Sequence, residues 1–385
     1  MEKVALLKCT DYQVDLIERK IREGFELLGG DSFIRSLIPR NSKVLLKPNF
    51  LNVNSKNSPV ITHHTVFEAA IRVIKDFTDQ ISFGDSPGHQ DPLRAAEKSG
   101  FMEIAQKYHV TYADFNDAVH VELDKPLLYK YWDIARPAYE ADVLITLPKL
   151  KTHALMYYTG AVKNQFGCVP GTQKAQWHLK QPDPEYFSRI LLDINSLVKT
   201  KFAILDGIIA MEGNGPLNGN PKQMDTIIMG RSLTAVDSTA VRLIGYKNVL
   251  EVPFLKVAQD TLWGTVLPPD IEILGETIST MRCKDFKVCR SSGLVNRILP
   301  SMDKFVSRAM APDPVVIPDL CIGCKQCDVV CPKQNQVISF GKKKEKLLPK
   351  WDYNACIRCY CCQELCPQGA IVIKNKPIGK LFRRH

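Results

Sequence analysis

Two runs of cysteines near the C-terminus have a spacing that suits iron–sulfur chemistry. Both read Cys-x2-Cys-x2-Cys-x3-Cys-Pro; the first contains Cys321, Cys324, Cys327 and Cys331, and the second contains Cys356, Cys359, Cys362 and Cys366. Bacterial ferredoxins use this spacing to bind a pair of [4Fe–4S] clusters. Three thiolates on one tight turn can reach three irons of a cluster, and the proline ends the turn because it has no N–H to continue it.

In such a pair, the fourth cysteine of each run binds the other cluster. We therefore predict two crossed ligand sets, namely Cys321, Cys324 and Cys327 with Cys366, and Cys356, Cys359 and Cys362 with Cys331. A zinc site fits the pattern less well because zinc ligands come as Cys-x2-Cys pairs with longer gaps. A disulfide framework would require an oxidising compartment, and we find no signal peptide before the strand-like run that starts at Val4.

The length and composition indicate a globular protein with more than one domain. The chain has 385 residues, of which 45% are hydrophobic and 24% are charged. No uninterrupted apolar run approaches the roughly 18–20 residues that cross a bilayer. We therefore expect no transmembrane segment and a cytoplasmic location, in an organism or niche that spares exposed clusters from oxygen, such as an anaerobe.

The positive charge is concentrated near the C-terminus. The formal net charge is +10, and residues 319–385 hold thirteen Lys or Arg against five Asp or Glu. The basic segments Lys342–Lys344 and Arg383–Arg384 could attract an acidic redox protein, although a solvated hairpin and a frayed tail are the simpler explanations. No nucleic-acid-binding motif accompanies this charge, so we expect no nucleic-acid partner.

The first 280 residues alternate between strand-like and helix-like patterns. Apolar runs predict strands at Val4–Cys9, Val44–Leu46, Ile81–Phe83, Val143–Leu147 and Phe202–Leu205. Helical periodicity predicts helices at Val14–Leu28, Thr65–Phe77, Pro92–Tyr108 and Leu233–Ile244. This alternation predicts an α/β fold with an open, mostly parallel sheet.

The same patterns divide the chain into four segments. Residues 1–280 are predicted to form the α/β domain, 281–318 a connector with a short helix near Leu294–Leu299, 319–375 a small α+β ferredoxin-like domain with two [4Fe–4S] clusters, and 376–385 a basic tail. The ferredoxin-like domain is an internal repeat, since a β-rich piece follows each Cys-Pro. Those pieces would pack over the clusters and exclude water, which helps to set the reduction potential.

Several polar segments follow the predicted strands of the α/β domain. In open α/β sheets, ligands bind beyond the carboxyl ends of the strands. The candidate ligand-binding residues in and near these segments are Asn49, Asp85, Lys149, Asn164, Asp206 and Glu212. Each segment alone could be an ordinary turn, and none has the glycine pattern of an ATP or NAD site; together they predict a pocket.

The segment that starts at His153 contains the side chains best suited to catalysis. His153, Lys163 and His178 are the candidate catalytic residues, with the Cys168 thiol between the last two. A lysine among apolar neighbours can have a lowered pKa and act as a base or a covalent anchor, whereas histidine shuttles protons or binds metals. The alternatives are that Lys163 lies along an apolar surface or binds an anion, and that His178 packs or caps a helix. The remaining cysteines are interpreted as structural or incidental thiols: Cys9, Cys283, Cys289 and Cys361.

Short motifs along nearly the whole chain carry a family resemblance. They are Lys47–Asn49, Gly84–Gly88, Leu147–His153, Gly160–Asn164, Asp206–Gly207, Glu212–Pro216 and Cys356–Pro367. With these motifs the chain resembles a family of uncharacterised iron–sulfur-centre proteins, in which a domain of unknown function precedes a ferredoxin domain with two [4Fe–4S] clusters. The resemblance implies an iron–sulfur protein and leaves its activity open.

One of these segments is also similar to the nickel-pincer lactate racemase family. That family has a His, a glycine-rich turn, a Lys ten positions after the His that carries the pincer nucleotide, and then Pro-Gly. His153, Gly160 and Lys163 follow this order, and Pro170-Gly171 completes it. The Gly-Gly pair before the lysine is missing, however, and Trp177 replaces a polar residue. The similarity therefore implies a shared fold and pocket position, but neither nickel nor racemase activity.

These observations favour an iron–sulfur redox protein. We expect its two clusters to pass low-potential electrons to a substrate, or to a further small-molecule cofactor of unknown identity, in the α/β domain. The expected protein partner is a flavodoxin, a ferredoxin or a flavoenzyme. Such a protein could be a ferredoxin-linked oxidoreductase. The alternatives are a non-enzymatic electron carrier or adaptor that docks a partner enzyme, and a cofactor- or metal-handling protein.

Overall fold

The computed structural model describes residues 1–51, 55–88, 90–171, 183–289, 312–343 and 346–374. Most of the predicted connector, with the helix near Leu294–Leu299, and the basic tail 376–385 lie outside these residues. The predicted boundaries between the four segments therefore stay predictions. None of the described helices is both long and apolar enough to span a bilayer.

The N-terminal part is built on one large sheet. In chain order, its strands are β1 (Glu2–Lys8), β2 (Val44–Lys47), β3 (Ile81–Phe83), β4 (Thr111–Tyr112), β5 (Ala118–Glu122), β6 (Tyr131–Ala135), β7 (Val143–Thr146), β8 (Lys149–His153), β9 (Tyr157–Thr159), β10 (Phe202–Glu212), β11 (Asn220–Gly230) and β12 (Ile271–Gly275). Ten of them form a sheet in the order β12-β1-β11-β10-β7-β2-β3-β4, with β8 beside β10 and β9 beside β8. The strands β5 and β6 form a separate antiparallel hairpin.

Most strands of the large sheet are parallel, as the sequence predicts. Within the described residues, β9 and β11 run antiparallel to the strands beside them, and every other neighbouring pair is parallel. Consequently β2, β3 and β7 end at the same edge of the sheet. The segments that follow these three strands are thereby brought close together.

Helices cover both faces of the sheet. They are α1 (Val14–Leu28), α2 (Gly30–Leu37), α3 (His64–Ile74), α4 (Pro92–Lys98), α5 (Phe101–Tyr108), α6 (Arg136–Glu140), α7 (Ala161–Asn164), α8 (Pro184–Val198), α9 (Leu233–Leu243), α10 (Pro253–Asp260) and α11 (Ile278–Met281). Three short 3-10 helices span Gln165–Cys168, Val249–Glu251 and Pro268–Asp270. Along β1, Val4 and Leu6 belong to one apolar layer and Ala5 and Leu7 to the other. Continuous apolar strands of this kind are typical of a sheet that is buried on both sides.

Two predicted elements differ from the structure. The single helix predicted over Pro92–Tyr108 is wrong, because the chain forms α4 and α5 with Gly100 between them at φ 78°. Left-handed backbone of this kind favours glycine and interrupts a helix. The strand predicted at Phe202–Leu205 continues to Glu212, and it pairs with β11 from Ala203 to Glu212.

The C-terminal part is a small α+β unit with the predicted internal repeat. Its elements are β13 (Asp313–Val316), α12 (Gln326–Val329), β14 (Ile338–Lys343), β15 (Lys346–Trp351), α13 (Cys361–Glu364) and β16 (Ile371–Lys374). β13 pairs with β16 and β14 with β15, both antiparallel. Lys325 and Tyr360 precede α12 and α13 in the same left-handed conformation, each with φ 61°. The two cysteine runs thus adopt matching turns.

Candidate functional site

Two cavities in the C-terminal part are each lined by four cysteines. One is lined by Cys321, Cys324, Cys327 and Cys366, and the other by Cys331, Cys356, Cys359 and Cys362. Each cavity thus takes three cysteines from one run and the last cysteine of the other run. The structure therefore groups the thiols in the crossed sets that the spacing predicts, and ligation of a cluster by each set is a proposal.

The chemistry of these cavities fits a metal cluster. Burial raises the pKa of Cys327 to about 12 and of Cys331 to about 11, and both thiols would lose their protons on binding a metal. Phe340 and Trp351 contribute apolar walls, one to each cavity. Among the described residues, no three His, Cys, Asp or Glu side chains are close enough to share one metal ion.

A third cavity, the interdomain cleft, lies between the N-terminal part and α13. Its lining consists of Asn49, Leu51, Asp85, Ser86, Pro87, Gly88, Lys163, Asn164, Phe166 and Gly167 from the N-terminal part, and Cys361, Glu364 and Leu365 from the C-terminal part. The cleft leaves about 630 Å³ free of protein atoms, its opening included. It continues into an inner pocket, which shares Asn49, Lys163, Asn164 and Glu364 with the cleft and adds Lys149 and Lys151.

Two buried ion pairs lie under the cleft and the inner pocket. Lys47 Nζ is 2.7 Å from Asp85 Oδ1, and Lys149 Nζ is 2.8 Å from Asp206 Oδ2. All four side chains are at most 3% exposed. Tyr12 reinforces the second pair, since its hydroxyl donates to Asp206 Oδ1 at 2.9 Å and accepts from Lys149 Nζ at 2.8 Å. Each buried carboxylate is thus matched by a lysine.

Two further lysines in this region have no carboxylate bound to them. Lys151 Nζ donates to Asn49 Oδ1 at 2.9 Å and to the carbonyl of Val60 at 2.7 Å, both neutral oxygens. Lys163 is 9% exposed and forms no hydrogen bond or ion pair within the described part of the chain; its Nζ lies 5.7 Å from the centre of the Phe166 ring. Burial lowers the pKa of both lysines.

Asn164 holds the cleft together rather than pointing a free amide into it. Its Nδ2 donates to Thr146 Oγ1 at 2.8 Å and to the carbonyl of Lys47 at 3.2 Å, and its Oδ1 accepts from Asn49 Nδ2 at 3.0 Å. The amide therefore ties the ends of β2 and β7 to α7, the helix that carries Lys163.

Comparison with known proteins identifies both parts of the chain. Residues 44–242 match a domain of unknown function (DUF362), and residues 320–370 match a 4Fe-4S dicluster domain. The chain belongs to the DUF362 family. The predicted family is confirmed, and the dicluster domain indicates iron–sulfur electron transfer with a redox partner.

Individual relatives share only part of their length with this DUF362 protein. A thylakoid-associated protein of Synechocystis sp. is 31% identical over 238 residues, which cover 62% of this chain and 73% of the relative. The lactate racemase apoprotein of Thermoanaerobacterium thermosaccharolyticum matches with a TM-score of 0.39 and 12% identity, covering 60% of this chain and 54% of that one. A crystal structure from Thermotoga maritima matches with a TM-score of 0.36 and 11% identity, covering 57% and 56%. The chain thus spans little more than half of either solved structure.

In the DUF362 domain, a buried aspartate that the sequence reasoning missed binds the N-terminus of α7, the helix that carries Lys163. Asp237 on α9 accepts hydrogen bonds from the N–H groups of Ala161 at 2.7 Å and Val162 at 2.9 Å, and from the Tyr158 hydroxyl at 3.0 Å. Burial raises the pKa of Asp237 to about 7 despite these donors. The available signal was an acidic residue in the middle of α9, whose other members are apolar residues, Ser, Thr and one Arg.

The titration of Asp237 predicts a pH-dependent stability. The pKa of Asp237 in the folded protein is about 7, above the ordinary value of 3.8. The protonated carboxyl group therefore stabilises the folded state fully below about pH 4, and this stabilisation is lost as the pH rises through 7. We expect the free energy of unfolding to fall over this interval and Asp237→Asn to remove that part of the fall. Urea unfolding at several pH values would measure it, with Asp260→Asn, an exposed position on α10, as the control. The same pH profile in both variants would contradict the assignment.

Two predicted site residues within the described ranges, His153 and Glu212, do not line the cleft or the inner pocket. His153 is buried, its Nδ1 accepts from two backbone N–H groups, and its Nε2 lies 3.7 Å from Glu364 Oε2. Glu212 accepts from the backbone N–H of Lys287 at 2.8 Å. His178 lies outside the described residues. By contrast, Lys163, Asn49, Asp85, Lys149 and Asn164 line the cleft or the inner pocket, and Asp206 pairs with Lys149 beneath them.

The DUF362 domain contacts α13 through a glutamine inside the second cysteine run. Gln363 is fully buried, and its Nε2 donates to the carbonyl of Gly215 at 3.3 Å. Asn218 Nδ2 in turn donates to the carbonyl of Gln363 at 3.4 Å. Sequence reasoning missed Gln363 and its neighbour Glu364 because both lie between cysteines of the second run, whose spacing was interpreted only in terms of cluster ligands.

Proposed function

We propose that this chain transfers electrons between two [4Fe–4S] clusters, held by the two crossed cysteine sets, and a small molecule in the interdomain cleft. When bound, each cluster supplies reversible one-electron transfer at low potential. The small molecule is a substrate or a further cofactor. A flavodoxin, a ferredoxin or a flavoenzyme is the proposed partner at the other end of the electron path.

One observation carries this proposal: α13 forms a wall of the cleft and also belongs to a cysteine-lined cavity. Cys361 and Glu364 line the cleft, whereas Cys362, on the same helix, lines the cavity together with Cys359. A ligand in the cleft would thus be separated from the proposed cluster by one short segment of protein. A donor fixed within the same chain has a high effective concentration at the neighbouring site.

The chain's own residues would bind the ligand and hold a proton for it. Phe166 and Leu51 supply apolar surface that excludes water. Because burial lowers the pKa of Lys163, this ammonium gives up its proton more readily than an exposed lysine and suits a general acid. A reducing cytoplasm is part of the proposal, since thiols stay reduced there and remain available as cluster ligands.

Replacing Lys163 tests the role of the cleft. Anaerobically reduced wild-type protein, mixed with a panel of flavins, quinones, nucleotides and organic acids, should be reoxidised by at least one compound. We expect Lys163→Met to slow that reoxidation by roughly 100-fold or more, the usual contribution of a positioned acid–base group, with iron content unchanged. The visible absorbance of the clusters would report the rate.

The matched control is Lys247→Met, since Lys247 is an exposed lysine of the same domain. It should react like the wild type. Equal rates for Lys163→Met, Lys247→Met and the wild type would mean that Lys163 and the cleft take no part in reoxidation. That result would favour the alternative, an electron carrier that only docks a partner enzyme.

A further inference from the structure

We propose that the ligand of the interdomain cleft is an organic anion, whose carboxylate or phosphate group binds between Lys163 and Lys151 while an apolar body lies in the cleft. This inference rests on the proposed function, because it specifies the ligand of the same site. It is carried by the charges around the inner pocket, by the missing partner of Lys163 and by the apolar wall beside it.

The buried charges leave an excess of ammonium groups. Lys47 and Lys149 are already neutralised by Asp85 and Asp206. Lys151 has only neutral oxygen partners, and Lys163 has no hydrogen bond or ion pair within the described ranges. Buried charges in proteins are normally paired, and an anion supplied by the ligand would provide the missing partner for both lysines.

Glu364 does not satisfy both lysines. It is the carboxylate of the inner pocket that attracts Lys151 and Lys163 electrostatically, but its Oε2 faces His153 Nε2 at 3.7 Å. Lys151 and Lys163 line the same inner pocket, and after burial the charge of Lys163 is the next cause that lowers the pKa of Lys151. An oxyanion between them would relieve the repulsion of like charges, and the two oxygens of a carboxylate or phosphate can bind two lysines at once.

The neighbouring surface indicates the rest of the ligand. Leu51, Pro87, Phe166 and Leu365 contribute apolar side chains to the cleft, and Lys163 stands next to Phe166. Ligand sites combine an apolar lining with a few polar groups that fix orientation. The charged end would therefore enter the inner pocket and leave the apolar body beside α13, next to the cysteine-lined cavity.

Binding measurements on the anaerobically purified full chain test this inference without any turnover. Isothermal titration calorimetry with benzoate, phenyl phosphate, inorganic phosphate and neutral benzamide should show binding of at least one aromatic anion and at least about tenfold weaker binding of benzamide. A preference for benzoate would assign a carboxylate, and a preference for phenyl phosphate would assign a phosphate. Equal affinity for benzamide, or no binding of either aromatic anion, would overturn the inference.

Variants locate the anion. Lys163→Met should weaken the preferred anion by at least about tenfold, Lys247→Met should bind like the wild type, and Lys163→Arg should keep most of the affinity because it keeps the charge. If Lys163→Met binds like the wild type, or if Lys163→Arg loses as much as Lys163→Met at an unchanged melting temperature, the inference fails. Covalent trapping of a carbonyl compound on Lys163 by borohydride, without anion binding, would also overturn it.

Failure of this inference is distinguishable from failure of the proposed function. If no anion binds but reoxidation of the clusters still depends on Lys163, the anion site is wrong and the proposed electron transfer stands. If an anion binds in a way that depends on Lys163 but no acceptor reoxidises the clusters, the anion site is supported and the proposed electron transfer is contradicted.

Discussion

Serine in place of Cys366 is expected to abolish the cluster of the first cysteine run, not that of its own run. Cys366 lines the same cavity as Cys321, Cys324 and Cys327, so its loss removes one of four ligands there. The iron content of anaerobically purified protein should fall from about eight to about four atoms per chain, because one of two four-iron clusters is lost. Iron and acid-labile sulfide analysis would measure the change.

Double variants separate the crossed arrangement from an uncrossed one. Cys366→Ser with Cys321→Ser should lose no more iron than Cys366→Ser alone, since both cysteines line one cavity. Cys366→Ser with Cys356→Ser should lose both clusters, because Cys356 lines the other cavity. If the two runs each held their own cluster, the outcomes of these pairs would be reversed.

A thiol outside both cavities provides the control for these variants. Cys283 lies in the N-terminal part and lines neither cavity, so Cys283→Ser should retain about eight irons. Cys356 is a better target than Cys362 in the double variant. The buried Cys361 thiol lies directly beside Cys362 and could replace it as a ligand.

Much of the fold was predictable because it depends on local patterns. Helical periodicity predicts α1 at Val14–Leu28, and the apolar run at Ile81–Phe83 predicts β3 with the same bounds that the structure has. Both elements bury a continuous apolar face, which is the property that periodicity detects. By contrast, the left-handed Gly100 separates α4 from α5, although the apolar pattern continues past it and predicted one helix.

The antiparallel pairing of β11 could not be predicted in the same way. Its first half, from Asn220 to Asp225, is mostly polar, and its residues Asn220–Gln223 pair with Ile209–Glu212 of β10. Lys149–His153 also reads as a polar loop, yet it forms β8 because it pairs with β10 and β9. Such strands are stabilised by partners distant in sequence, and no local apolar pattern marks them.

The candidate site also contains some residues that local patterns predict and others that depend on contacts distant in sequence. Asn49 and Asp85 were predicted to lie together because parallel strands place the residues after their carboxyl ends at one edge, and they do line one cleft. Asp237, on the other hand, binds the first two N–H groups of α7, the helix that carries Lys163, and these hydrogen bonds bridge more than seventy residues of sequence. The contribution of α13 to the cleft depends on how two domains dock. A single sequence does not contain that information in any local pattern.

Removing Lys47 is expected to destabilise the protein more than removing any exposed lysine of the domain. Its side chain is 0% exposed and its Nζ lies 2.7 Å from Asp85 Oδ1, so Lys47→Met leaves a buried carboxylate without its counter-charge. A Cβ on Gly167 would clash with the same oxygen, so the surrounding atoms leave no room for a side chain there. Breaking a buried pair in this way costs about 3–5 kcal/mol of the free energy of unfolding.

A second ion pair of the same length isolates the effect of burial. Lys256 and Asp260 are also 2.7 Å apart, but their side chains are 54% and 55% exposed. Lys256→Met should therefore cost only about 0.3–0.5 kcal/mol, as is usual for exposed pairs on one helix. Urea unfolding followed by circular dichroism would compare the two variants, and similar losses would contradict a dominant role of desolvation.

The double variant Lys47→Met with Asp85→Leu shows how much of the loss comes from the orphaned carboxylate. It should be more stable than Lys47→Met alone because no buried charge remains. It should not reach wild-type stability, because Asp85 Oδ2 also accepts the N–H of Phe50 at 2.8 Å and an unsatisfied buried donor costs about 1–3 kcal/mol. A double variant less stable than Lys47→Met would mean that Asp85 acts mainly through that backbone hydrogen bond. The main role of Asp85 would then be to hold the backbone next to Asn49 in place, and neutralising the charge of Lys47 would be secondary.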